Sequence, residues 1–290
     1  MKFIISSNVE NLRAAKPDAT VEAEYGDAVA EGRVLTMAHH GPRAGQKAPC
    51  AYENGCGAGV ETVGLSHVDL DTIGGCLALL GQRPPAPGFW SLAEYVDLNG
   101  PHKLVREALR PYDYRRLNAY WAFSQANRVF APRDGSVADV TPQVMKHVEA
   151  VRAILDDDEA LLAAGDRFAE GEDALNRESF VSLTDGILVR QSKRFVNHLY
   201  VAPDGRVARA CVTHNPSESD LSGGAVTLSL ADPIPGVNCG EILKSVFGPE
   251  AGGHAGIGGS PRGKPLPMTE ALRVVAALAE KLRSVPATPQ

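Results

Sequence analysis

The chain has 290 residues, of which 44% are hydrophobic and 22% charged, and its formal net charge is −6. This length suits one large or two smaller domains, and the composition is that of a globular protein rather than a disordered one. The acidic balance excludes a protein that wraps long duplex nucleic acid by bulk attraction, because such binding neutralises many phosphates with Lys and Arg. A short nucleotide held locally remains compatible with it.

The five cysteines are an odd number, and the chain opens without an extended apolar segment. Both features favour a reducing cytoplasm. No stretch approaches the ~18 consecutive apolar residues that a membrane span needs. We therefore expect a cytoplasmic protein that does not insert into a membrane. Cys50 and Cys56 are six positions apart, which is not a zinc-binding spacing, so we interpret them as structural or incidental.

Three short strands are predicted at the start of the chain, over residues 2–6, 21–25 and 33–37. The third leads directly into His39 and His40. In an open α/β sheet, ligands bind beyond the carboxyl ends of the strands, so these histidines are candidate metal ligands and catalytic groups. Two histidines exposed on a loop are the alternative. The segment 44–58, rich in Gly, Ala and Pro, is predicted to be a loop over this edge that could serve as a lid.

The stretch Leu65–Gly75 carries His67, Asp69 and Asp71 at alternate positions, between a predicted strand and a helix that begins near Thr72. Alternate residues of an extended segment point the same way, so this spacing can direct all three side chains into one pocket. Imidazole together with carboxylates suits manganese, zinc or iron better than calcium. Three polar residues in a surface loop are the alternative.

Asp97 and His102 follow an apolar segment and flank a predicted Asn-Gly-Pro turn. They are two further candidate ligands, unless the turn carries them incidentally. Helices are then predicted over residues 103–131 and 140–155. The acidic run at 156–159 suits the start of a helix, because carboxylates are favourable at that end of the helix dipole. We place the domain junction there.

The second half of the chain contains β-like runs at 180–183, 187–190, 195–201, 207–213 and 225–230. Helices are predicted at 237–247 and 269–283, and Pro203-Asp204-Gly205 predicts a hairpin. The fold class is therefore α/β with two domains. A mostly parallel N-terminal sheet flanked by helices (1–155) is joined by a helical acidic linker (156–178) to a smaller C-terminal α/β domain with a mixed sheet (179–290).

Six glycines lie within the twelve residues from Gly252 to Gly263, between the last two helices. Glycine lets a backbone approach a ligand closely and direct its N–H groups at an anion. His254 and Arg262 add phosphate partners. A flexible connection is the alternative. The predicted substrate-binding residues are Gly252, Gly253, His254, Gly258, Gly259 and Arg262.

The order of these motifs resembles the DHH phosphoesterase superfamily, which includes RecJ-like exonucleases, nanoRNA and pAp phosphatases and cyclic-dinucleotide phosphodiesterases. His67-Val-Asp69-Leu-Asp71 is similar to its first metal motif. Gly252–Gly259, with the strand and helix before it, is similar to the Gly-Gly-His-x-x-x-Gly-Gly signature of the DHH-associated C-terminal domain. The His-His pair of this chain, His39-His40, precedes the first motif and lacks the Asp of the namesake motif.

The resemblance implies a two-domain, manganese-dependent phosphoesterase with two ions, zinc, iron or magnesium being the alternatives. The implied metal ligands are His67, Asp69, Asp71 and Asp97 with some of His39, His40 and His102. A histidine from the last three that does not hold metal would protonate the leaving oxygen, so these three are also the catalytic candidates.

The expected reaction is hydrolysis of a small phosphorylated substrate, such as a short oligonucleotide, nucleotide or phosphodiester, by metal-activated water. A homodimer is compatible with the sequence. A non-catalytic nucleotide-binding regulatory module and a metallohydrolase of a non-phosphate bond are the alternatives.

Overall fold

The computed structural model describes residues 1–22, 35–39, 45–105, 108–194, 196–216 and 223–284. The chain forms two compact units. The first comprises Met1–Leu98 and Leu109–Ala169, and the second comprises Asn99–Ala108 and Glu170–Gln290. Among the described residues, no helix is both long and apolar enough to cross a membrane.

The strands of the first unit are β1 (Lys2–Ile5), β2 (Ala19–Val21), β3 (Leu35–Met37), β4 (Thr62–Leu65) and β5 (Ala138–Asp139). Its helices are α1 (Val9–Ala14), α2 (Leu70–Leu80), α3 (Pro87–Asn99), α4 (Pro111–Ala126), α5 (Thr141–Leu155) and α6 (Glu159–Ser179), with a short 3-10 helix at Pro49–Ala51. Helix α6 carries the chain into the second unit.

The first sheet has the order β3-β2-β4-β1-β5 and is parallel except at β5. Consecutive residues of β1, β2 and β4 are buried, so both faces of the sheet are covered there, as is usual for parallel sheets. Val21 lies opposite both Met37 and Leu65 in the parallel register. The three strands β2, β3 and β4 therefore end at the same edge, and the residues that follow them emerge there. Helix α2 begins at this edge and is buried from Leu70 to Leu79.

The strands of the second unit are β6 (Phe180–Thr184), β7 (Ile187–Gln191), β8 (Ala210–Pro216), β9 (Gly224–Leu230), β10 (Gly252–Gly253) and β11 (Ile257–Gly259). Its sheet has the order β10-β11-β9-β8-β7-β6, in which only β7 and β8 pair in parallel. The helices α7 (Cys239–Phe247) and α8 (Met268–Ser284) contribute to its apolar core. The predicted α/β class, with a mostly parallel first sheet and a mixed second sheet, is confirmed.

Several predicted elements differ from the structure. The predicted strand 21–25 overlaps β2 only at Val21, and its residues 23–25 lie outside the described residues. The predicted helix 103–131 is replaced by the shorter α4, Pro111–Ala126. It begins at Pro111 because proline is favoured in the first turn of a helix.

The predicted strand 195–201 is wrong, since residues 197–200 form turns. The carbonyls of His198, Leu199 and Val201 accept hydrogen bonds from the buried Arg190 and are thus not available to a neighbouring strand. Of the predicted hairpin around Pro203-Asp204-Gly205, an isolated antiparallel bridge from Val201 to Val207 is present.

Candidate metal centre

Four ionisable side chains converge at the edge where β2, β3 and β4 end. Glu22 directly follows β2, His39 lies two residues beyond β3, and Asp71 lies in the first turn of α2. Asp97 reaches the same place from α3. One ligand atom from each of the four lies within 4.8 Å of the others, which defines the acidic cluster. Two strand ends and two helices therefore build a single site.

The imidazole of His39 stands at the centre of the acidic cluster. Its Nε2 lies 2.7 Å from Asp97 Oδ2, 3.3 Å from Glu22 Oε1 and 3.3 Å from Asp71 Oδ2. The side chains of Glu22, His39 and Asp71 are essentially inaccessible to solvent, whereas that of Asp97 is 12% exposed. Water therefore meets the cluster on the side of Asp97.

The charges of the acidic cluster do not balance, since three carboxylates face one imidazole. Burial, and then the negative charge of Asp71, raise the pKa of Glu22 to about 9. Burial lowers the pKa of His39, but its hydrogen bonds to Asp71 and Asp97 outweigh this effect and raise it to about 10. Near neutral pH, protons on Glu22 and His39 thus supply the positive charge that a divalent cation would supply instead.

Glu22 has an unusual backbone conformation, with φ at 47° in the left-handed region. A residue with a Cβ rarely adopts it, at a cost of order 1–3 kcal/mol, and such residues concentrate at functional sites. Two hydrogen bonds hold the backbone there. The N–H of Glu22 donates to Met37 O at 2.8 Å, and the hydroxyl of Ser66 donates to Glu22 O.

The two oxygens of Asp71 have separate environments. Oδ1 accepts a hydrogen bond from the N–H of Cys50 at 2.9 Å, and both groups are buried. Oδ2 is paired among the described residues only with His39 Nε2, at 3.3 Å, and that nitrogen also faces Asp97 and Glu22. A buried carboxylate oxygen with only a shared, long partner is costly, and a cation among the other ligand atoms would satisfy it. The donor set therefore fits a divalent metal ion.

His67 and Asp69 form a separate pair beside the acidic cluster. His67 Nε2 lies 3.2 Å from Asp69 Oδ2, and the two side chains are 36% and 38% exposed. Asp69 is also the N-cap of α2, because its Oδ1 accepts the N–H of Thr72 at 2.8 Å. Burial raises the pKa of Asp69, but the hydrogen bond and positive charge of His67, with the Thr72 N–H, hold it below its usual range.

Of the predicted motif, only Asp71 thus joins the acidic cluster. The alternation rule applies to extended backbone, and α2 already begins at Leu70, so Asp69 and Asp71 do not alternate along one strand. A role for His67 and Asp69 as metal ligands stays a prediction.

The remaining predicted histidines are placed as follows. His40 lies outside the described residues. His102 belongs to the second unit, in the 3-10 helix Pro101–Lys103. Its ring packs edge-on against Tyr200, with centroids 5.4 Å apart, and burial and the charge of Lys103 lower its pKa. The metal-binding and catalytic roles of His40 and His102 stay predictions.

The first eight residues of the glycine-rich segment, Gly252–Gly259, form a hairpin of the second sheet rather than a flexible connection. Gly252 pairs with Gly259 and Gly253 with Gly258 in an antiparallel hairpin, and β11 continues onto β9. A Cβ on Gly253 would lie 2.4 Å from the Cα of Gly258, so close packing alone requires glycine there. His254 is exposed at the turn, where its N–H donates to Ile257 O at 2.7 Å, and Arg262 is exposed. Phosphate binding by this segment stays a prediction.

Glu22 is the cluster residue that sequence reasoning missed. The predicted strand 21–25 runs through it, which hides its position at the end of a strand. The usable signal was an acidic residue in the second predicted strand, which comes just before the strand that leads to His39. Comparison of the sequence with protein-family models and with curated proteins finds no match to either.

Proposed function

We propose that the protein is a metal-dependent phosphoesterase of the DHH type. The observation that carries the proposal is the acidic cluster itself, with four ligand atoms within 4.8 Å. One imidazole with three carboxylates suits manganese, iron or zinc, and manganese is our first choice. The similarity of His67-Val-Asp69-Leu-Asp71 to the family's first metal motif supports the assignment.

Each cluster residue has a distinct part in holding the ion. Glu22, Asp71 and Asp97 would supply oxygen ligands and His39 would supply Nε2, once Glu22 and His39 have each lost a proton. A bound divalent ion would act as a Lewis acid, lowering the pKa of water and offsetting charge on phosphate oxygens. The partly exposed Asp97 marks the side from which substrate reaches the site.

The pair of His67 and Asp69 has two possible roles in this reaction. A second ion would take both as ligands, which is the two-ion arrangement that the resemblance implies. In a one-ion enzyme, His67 would instead protonate the leaving oxygen from Nε2–H, giving up its 3.2 Å contact with Asp69 Oδ2, while Ser66 Oγ, 2.9 Å from Nδ1, would keep the ring oriented. The stoichiometry of bound metal distinguishes these roles.

The proposed substrate is small and phosphorylated, such as a short oligonucleotide or a nucleotide. The net charge of −6 supports this class over a long nucleic acid. The proposed phosphate partners are the exposed His254 and Arg262 with the glycines of the β10–β11 hairpin. We further propose that the protein acts in the cytoplasm.

A non-catalytic nucleotide-binding module is the second candidate. One observation favours it: His67 and Asp69 lie outside the four-residue cluster, so the first metal motif is not assembled as one ligand set. Such a module would bind metal and nucleotide without turnover.

The test measures metal content and hydrolysis together. We expect the purified protein to bind manganese and to hydrolyse bis(p-nitrophenyl) phosphate or a dinucleotide, and Asp97→Asn to abolish turnover. Asp166→Asn is the matched control, because Asp166 is a partly exposed carboxylate of the first unit that pairs with Arg115 at 2.8 Å. Metal and nucleotide binding without turnover would favour the binding module. Turnover of p-nitrophenyl acetate alone would identify a metallohydrolase of a non-phosphate bond.

A further inference from the structure

The segment 45–58 is not built as a lid over the acidic cluster. Its centre, the 3-10 helix Pro49–Ala51, is termed the 49–51 turn below, and Ala48, Pro49 and Cys50 in and beside it are buried. The turn packs against α2, and from it the N–H of Cys50 donates to Asp71 Oδ1. This bond fixes one oxygen of Asp71 and leaves the other, Oδ2, directed at His39. The rotamer of a proposed ligand is thus set by a backbone N–H of this turn.

Two adjacent glycines of α2 let the 49–51 turn approach this closely. A Cβ on Gly74 would lie 2.4 Å from Cys50 Cβ, and a Cβ on Gly75 would lie 2.8 Å from Pro49 Cβ and 2.8 Å from Val21 Cγ1. Glycine inside a helix is unfavourable by about 1 kcal/mol relative to alanine. Helix α2 tolerates this cost because only glycine lets the 49–51 turn pack so closely against it.

Arg83 holds the opposite side of the same turn. Its guanidinium donates to the carbonyl of Cys50 and lies over the ring of Trp90, 5.9 Å from the centroid. Its backbone also exchanges two hydrogen bonds with the side chain of Asn54, at 3.0 and 3.3 Å. Cys50 is therefore fixed through its carbonyl by Arg83 and through its N–H by Asp71.

We propose that Gly74, Gly75 and Arg83 are positioning residues of the metal centre: they seat the 49–51 turn so that the Cys50 N–H orients Asp71. None of the three needs to touch the ion. The proposal can be tested by manganese affinity, and that test rests on the proposed function. It can also be tested without metal, by measuring how well the Cys50 amide is protected from hydrogen exchange.

The test compares three variants with the wild type by manganese titration and by hydrogen exchange at Cys50. We expect Gly74→Ala and Arg83→Gln to weaken manganese binding by about 10-fold or more, the usual effect of losing a group that orients a ligand. Gly165→Ala is the matched control, since its Cβ would lie 2.4 Å from Ala119 N in a contact between α4 and α6. It should lower the melting temperature similarly while leaving the manganese affinity within about twofold.

Arg83→Gln adds no atom to the core, so it tests the idea even if Gly74→Ala does not fold. The proposal is overturned if folded Gly74→Ala or Arg83→Gln retains both wild-type manganese affinity and Cys50 protection, or if Gly165→Ala weakens binding equally. A wild-type protein that binds no manganese would contradict the proposed function alone. In that case, loss of Cys50 protection in Gly74→Ala and Arg83→Gln but not in Gly165→Ala supports the positioning role, and unchanged protection refutes it.

Discussion

The two units each bury an ionic group, and they do so in opposite ways. In the second unit, Arg190 is fully buried, and the five N–H groups of its guanidinium are shared among six acceptors, none of them a carboxylate: the carbonyls of Asn176, His198, Leu199 and Val201, Ser179 Oγ and Asn176 Oδ1. In the first unit, the acidic cluster gathers three carboxylates around one imidazole. A buried charge whose hydrogen bonds are complete is structural, whereas like charges gathered without enough donors form a site that could hold a cation.

Removal of Arg190 should cause the largest loss of stability. Arg190→Met would leave several buried acceptors without donors, and we expect it to lower the free energy of unfolding by about 3–5 kcal/mol. Arg190→Lys should also destabilise, because an ammonium offers three donors for six acceptors. Urea denaturation measures both. Unchanged stability in Arg190→Met would show that the buried guanidinium is not structural, contrary to the comparison with the acidic cluster.

Manganese should stabilise the protein through the acidic cluster. At a free concentration 100 times its Kd, the ion should add about 2.7 kcal/mol to the stability of the unit that binds it. A thermal scan with and without chelator measures the effect. We expect Asp71→Asn to abolish it and Asp166→Asn to preserve it. An equal response in Asp71→Asn would place the bound ion elsewhere.

The two roles of Asp69 can be separated by a pair of substitutions. Asp69→Ala removes the N-cap of α2 and should cost about 1 kcal/mol, whereas Asp69→Asn keeps an oxygen for the Thr72 N–H and should cost less. Chemical denaturation of metal-free protein tests the cap. If Asp69 also holds a second ion, both variants should bind one manganese where the wild type binds two. Unchanged stoichiometry would limit Asp69 to the capping role.

The smallest expected effect is a pH dependence of the folding stability caused by His147. Unlike Arg190 and the acidic cluster, this buried side chain carries no charge. Its Nε2 donates to Asn127 O at 2.9 Å and its Nδ1 lies 3.1 Å from the hydroxyl of Tyr120, so the buried ring is neutral. Burial lowers its pKa below the ordinary value near 6.5. The stability from this neutral ring is complete above that value and is lost as the pH falls below it.

Denaturation curves between pH 8 and pH 5 on chelator-treated protein measure this loss, and His147→Gln should make the dependence shallower. A variant with the same pH dependence as the wild type would show that other groups cause it.

The sequence by itself determined the α/β class, the order of most helices and strands, and the position of Asp71 at a strand-to-helix turn. These follow from apolar periodicity and helix caps, which are local. It also indicated that His39 would meet Asp71, because side chains that follow parallel strands emerge at one edge. Asp97 was a candidate ligand on a predicted turn, and the structure places it instead within α3.

Only the tertiary structure decided which side chains meet within hydrogen-bonding distance. The register of β2 against β3 and β4, with the left-handed conformation of Glu22, brings that carboxylate to the site. The start of α2 at Leu70 separates Asp69 from Asp71, and the 49–51 turn orients Asp71 through a backbone N–H. Each of these depends on contacts between residues distant in the chain, which local sequence patterns do not encode.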